Sequence, residues 1–116
     1  MHKTALLTAA ALTLAACATV GTPALTAKEK RGRAFAQAHC AACHGIGAGD
    51  ISPNPESPSF EAVVNTGGLT AGTLETFLRD SHNFPGAMAF QIDAAKVSDL
   101  TAYMVTLKRP DYRPEI

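Results

Sequence analysis

Cys40-Ala41-Ala42-Cys43-His44 decides how the rest of the chain is read. Two thiols three positions apart fall on one side of a single helical turn. The imidazole of the next residue then points from that same turn. This C-x-x-C-H spacing suits a porphyrin: the thiols add across two vinyl groups and the imidazole takes the iron from the proximal face. The expectation is one covalently attached c-type haem, bound through Cys40 and Cys43, with His44 as an axial ligand. A zinc site would need a second ligand pair, and the sequence has no other C-x-x-C and no H-x-x-x-H. Cys40, Cys43 and His44 with His39 are too crowded along the chain for a relaxed tetrahedron. A redox dithiol of the thioredoxin kind would follow a strand, and no segment alternates as one. A Cys40–Cys43 disulfide closes too short a loop to stabilise much.

The third cysteine, Cys17, lies in a different context. Met1-His2-Lys3 is a short basic start, and residues 5–14 form an apolar stretch within the roughly 7–15 residues of a secretory leader. The stretch ends in Leu14-Ala15-Ala16-Cys17, which resembles the lipobox of bacterial lipoproteins. Residues 1–16 are therefore expected to be a lipoprotein-type signal peptide. Cys17 is expected to be lipidated, and residues 17–25 to be a tether. Ala16-Cys17-Ala18 also fits ordinary signal peptidase, which would release a soluble periplasmic protein, and an uncleaved anchor is a third reading. All three export the domain, the first to the periplasmic face of a membrane. Export agrees with the motif, because c-type haem is attached outside the cytoplasm. The cysteines are then accounted for, two by haem and one by lipid or leader.

Composition bounds the rest. The 116 residues make one domain. A formal net charge of +0 excludes nucleic acid as a partner, since phosphate binding needs a strong positive field. Hydrophobic content of 47% excludes a disordered chain, and no apolar run reaches the ~18 residues of a spanning helix. With no Trp and 6% aromatic residues the side chains alone make a thin core. Haem is expected to complete it, so the apo chain is expected to be molten or unfolded.

Thr26-Ala27-Lys28-Glu29 is a capping box that predicts a helix running toward the haem motif. Residues 45–58 are rich in Gly, Pro and Ser and predict a long loop. A short helix is expected over 59–65, stopped by Gly67-Gly68. Another is capped by Thr70, with Leu74, Phe77 and Leu78 turned inward. Residues 81–92 predict a second long loop. Asp93 caps a last helix, in which Val97, Leu100, Met104 and Leu107 form the apolar stripe, Lys108 and Arg109 complement the dipole, and Pro110 ends it.

Helix, C-x-x-C-H, Pro-rich loop, short helices, a methionine loop and a final helix, in that order, resemble the small monohaem class I cytochromes c of bacteria. The resemblance implies an all-α class I cytochrome c-like fold, with a few helices and long loops wrapped around one covalent haem, over 26–110. Residues 111–116 remain as a tail. It implies Met88, in the Pro85-Gly86-Ala87-Met88 loop, as the second axial iron ligand, with His82 as the alternative. Met104, on the apolar stripe, is core. It implies a proline carbonyl that accepts the Nδ1–H of His44: Pro58 is the best match, with Pro53 and Pro55 as alternatives. Gly32 and Tyr103 match the small residue and the aromatic where the first and last helices cross. The family's aromatic four residues before the first cysteine is Ala36 here, with Phe35 one earlier.

The function implied is a one-electron carrier with His/Met-ligated haem in a periplasmic or membrane-associated chain. It is not an enzyme and takes no small-molecule substrate; its partners are redox proteins, with the membrane reached through the lipid. With both axial positions filled by protein, the iron offers no open site. The alternative is a haem enzyme or gas sensor with an open or labile sixth position. Few charges surround Met88, so docking there is expected to be apolar and weakly salt-dependent. The basic cluster Lys28, Lys30, Arg31 and Arg33 reads as a solvated helix face, or as a contact with the membrane surface beside the lipid.

Overall fold

A computed structural model describes residues 23–80 and 86–114. Cys17, the expected leader, most of the expected tether and His82 lie outside the described residues. The described residues form four α-helices and one 3-10 turn, with no strand. The helices are α1 (Ala27–His39), α2 (Phe60–Val64), α3 (Ala71–Asp80) and α4 (Ala94–Val105). The 3-10 turn is Gly86–Met88, inside what the composition predicts as featureless loop.

The helix starts follow from local chemistry. Thr26 Oγ1 accepts the Glu29 N–H at 3.3 Å, and Glu29 Oε2 accepts the Thr26 N–H at 2.6 Å, a complete capping box. Ser59 caps α2 through the Ala62 N–H at 3.2 Å, and Thr70 caps α3 through the Thr73 N–H at 3.2 Å. Asp93 occupies the N-cap of α4, but its side chain makes no cap hydrogen bond. The end of α4 also differs from expectation. The helix stops at Val105, and Thr106 Oγ1 donates to the Tyr103 carbonyl at 2.6 Å. Lys108 and Arg109 therefore lie beyond the helix and do not serve its dipole. Lys108 Nζ donates instead to the Leu69 carbonyl at 2.9 Å, and Arg109 pairs with Glu61.

α1 crosses α4 at Gly32. A Cβ there would collide with the Asp99 carbonyl and come within 2.8 Å of Tyr103 Cβ. Glycine's cost inside a helix is accepted because only a hydrogen lets the backbones approach. The seam is fastened beside this contact. Arg31 grips the Asp99 carboxylate with two bonds, at 2.8 and 2.9 Å, and Lys28 Nζ donates to Ser98 Oγ at 2.8 Å. Those bonds hold Asp99 below the usual carboxylate range and raise Arg31. The basic cluster of α1 is thus divided: Lys28 and Arg31 are committed to α4, while Lys30 and Arg33 are exposed beside Leu25.

Leu74 and Leu78 of α3 pack with Val97, Leu100 and Met104 of α4 and Val64 of α2 in the core. Phe77 departs from the expected inward face and is 48% exposed. At about 100° per residue it lies ~60° to one side of Leu74, whereas Leu78 lies ~40° to the other, and the core covers the Leu78 side.

Candidate haem site

The chain turns just past α1. Cys40 N–H still donates to the Ala36 carbonyl at 2.8 Å, so the motif begins as a continuation of the helix. Cys43 and His44 then donate their N–H groups to the Cys40 carbonyl, at 3.1 and 2.9 Å. This one extra turn gathers Cys40, Cys43 and His44. Cys40 is buried and Cys43 exposed, and both thiols are free. Burial pushes the Cys40 thiol up to about 11, which keeps it protonated at neutral pH.

Residues 45–58 fold back over His44. Gly45 is required at the start, because a Cβ would lie 2.6 Å from the Asp50 carbonyl oxygen. Gly47 N–H donates to Asp50 Oδ2 at 2.7 Å, Gly45 N–H to Ser52 Oγ at 3.0 Å, and Asn54 N–H to the Cys43 carbonyl at 3.2 Å. From α4, the buried Tyr103 hydroxyl donates to the Ile46 carbonyl at 2.8 Å, and burial pushes that phenol up. The loop returns with Pro58, whose carbonyl oxygen lies 2.7 Å from His44 Nδ1. Pro53 and Pro55 are exposed further round the loop. A carbonyl can only accept, so Nδ1 carries a proton and Nε2 is the nitrogen left to face a metal. The Phe60 ring packs against the imidazole, with centroids 5.8 Å apart.

The structure thus brings Cys40, Cys43, His44 and Pro58 into one cluster. Met88 comes from elsewhere in the chain: it is half-buried in the 3-10 turn between α3 and α4. Its turn rests on two local bonds, Ala89 N–H to Gly86 and Phe90 N–H to Met88, at 3.1 and 2.8 Å. Phe90 is 40% exposed beyond it. His39 is exposed, with its ring 4.5 Å from that of Phe35.

Sequence reasoning missed Phe60, and it missed the buried Glu61, which accepts the Gly49 N–H at 2.8 Å. An acidic residue in the first turn of a helix reads as dipole complement; nothing local signals that this one is covered.

A helical cytochrome c domain is the class that this fold and this motif define. Residues 27–104 match the family described as cytochrome C oxidase, cbb3-type, subunit III, and the chain belongs to it. Haem-based electron transfer is the chemistry of that family's cytochrome c domain. No curated protein and no solved structure matches the chain.

The residues fit the haem. Two thiols on one turn are followed by an imidazole whose Nδ1 faces the Pro58 carbonyl, so Nε2 is the nitrogen turned away from it. Among the described residues no three His, Cys, Asp or Glu side chains form a competing metal cluster. No described helix is long and apolar enough to cross a membrane.

Proposed function

We propose that the exported protein is a one-electron carrier with a single haem, covalently joined through Cys40 and Cys43 and ligated by His44 and Met88. The reading is carried by the His44 Nδ1–Pro58 contact, which leaves Nε2 as the ligand beside the two thiols. When bound, the haem supplies reversible Fe(III)/Fe(II) chemistry. The Pro58 carbonyl fixes the imidazole plane and raises its basicity. A thioether from Met88 favours the softer reduced ion. The Phe60 ring packs against the imidazole, and Tyr103 of α4 ties down the loop behind it. The exposed Ala89, Phe90 and Gln91 form a small docking face with little charge. Electron-transfer encounters need little buried area.

We further assign residues 1–16 as signal peptide, 17–25 as tether with lipidated Cys17, 26–110 as the cytochrome c domain and 111–116 as tail. Anchoring at the periplasmic face of a membrane would hold the domain near redox partners in a membrane complex. The carrier itself turns over no substrate.

The test is the visible spectrum of the purified haem-loaded protein, oxidised and reduced, with and without carbon monoxide. A low-spin, CO-insensitive spectrum is expected. A high-spin or CO-binding spectrum would move the assignment to a haem enzyme or sensor.

A further inference from the structure

Glu61 is 5% exposed, although it stands in the first turn of a five-residue helix where a carboxylate is normally solvated. A buried carboxylate is costly without partners. Its partners connect three parts of the fold. Oε2 accepts the N–H of Gly49, a residue held at a φ of +72°, where glycine is favoured. Oε1 lies 2.9 Å from Arg109 Nε, an ion pair whose N–H is not aimed at the oxygen. Arg109 is anchored independently, its backbone N–H donating to Asn65 Oδ1 at 2.9 Å.

The first turn of α2 is therefore fastened to the proximal loop at two points. Phe60 N–H donates to the Gly45 carbonyl at 2.8 Å, and Glu61 holds Gly49. Pro58 lies two residues before the first of these. The seat of α2 on residues 45–49 thus fixes where the Pro58 carbonyl stands relative to His44 Nδ1.

We propose that Glu61 is a positioning residue for the proximal imidazole: by clamping the 45–58 loop to α2 it sets the His44–Pro58 hydrogen bond and, through it, the reduction potential. This rests on the haem reading above. A firm Nδ1–H···O bond makes the imidazole a stronger donor, which favours Fe(III). Loosening the clamp raises the potential.

The experiment is a potentiometric titration of the haem-loaded chain, with exchange of the Gly49 amide and the His44 Nδ1 proton followed by NMR. Glu61→Ala is expected to raise the midpoint potential and to speed both exchanges. Glu61→Gln, whose amide oxygen still accepts from Gly49, is expected to restore most of each. If the carboxylate acts only through its charge, Glu61→Gln moves the potential as far as Glu61→Ala, and Arg109→Gln moves it the opposite way. That pattern overturns the proposal, as does an unmoved potential in Glu61→Ala. Should Glu61→Ala fail to fold, the Glu61→Gln and Arg109→Gln pair still decides. A wild-type chain without covalent haem overturns the reading beneath; haem present with the potential unmoved overturns this inference alone.

Discussion

The two sides of the site are built differently. On the proximal side, His44 is held by its own backbone bond to Cys40, by the Pro58 carbonyl and by the Phe60 ring, and the loop behind it is bonded to α2 and α4. On the methionine side, the hydrogen bonds of the Met88 turn among the described residues are local, Ala89 N–H to Gly86 and Phe90 N–H to Met88. A side held by many long-range bonds has its geometry set by the packed chain. The imidazole is thus the more firmly held, and the Met88 sulfur, proposed as its axial counterpart, is expected to be the more readily displaced of the two.

The largest effect expected is from Cys40→Ser with Cys43→Ser. Covalent haem should be lost, measured as pigment removed by acidified organic solvent, and the cooperative fold should go with it. A stable, cooperative, haem-free variant would break the idea that haem completes the core. Phe60→Ala should cost about 3–5 kcal/mol in denaturant unfolding, the usual range for a buried Phe. Met88→Ala should cost less, leave the helices cooperative, and open the iron to carbon monoxide. If Met88→Ala destabilised more than Phe60→Ala, the contrast between the sides would fail.

Gly32→Ala tests the seam under the proximal side. Its new methyl meets backbone at Asp99, so a loss of about 1–3 kcal/mol is expected by thermal or denaturant unfolding. Asp99 adds a pH dependence of known sign. Its carboxyl is held low chiefly by the Arg31 hydrogen bond. Its stabilisation is therefore complete above the ordinary carboxylate range, near 4, and is lost as pH falls through the lowered folded value. Denaturation midpoints should drop on acidification below about pH 4, and Asp99→Asn should flatten that part of the curve. The smallest effect concerns the methionine side: electron transfer to a partner docked over Ala89, Phe90 and Gln91 should vary little with ionic strength. A steep fall would point to the cations of α1 instead.

Thr26 and Thr70 were legible as caps because a cap is a bond between residues three apart; Ser59 was read as the first residue of α2 and proves to be its cap. Asp93 looked the same and makes no such bond, since a side chain at a cap position can turn away. Lys108 and Arg109 were read as the end of α4; Leu69 and Glu61 claimed them, and neither partner is near in sequence. Phe77 was read as buried because spacing says which residues share a face and not where the neighbouring helix stops.

In the site, the motif alone brings Cys40, Cys43 and His44 together, because one turn of backbone geometry suffices. The choice of Pro58 over Pro53 and Pro55 as the carbonyl beside His44 needed the folded loop. So did the burial of Glu61. The physical reason is range. Caps, turns and a C-x-x-C-H motif depend on atoms a few residues apart, and local sequence specifies them. The collision that requires Gly32 and the clamp on Gly49 join residues 12 to 71 positions apart, and the covering of a charged side chain is equally long-range. Only the packed chain determines those.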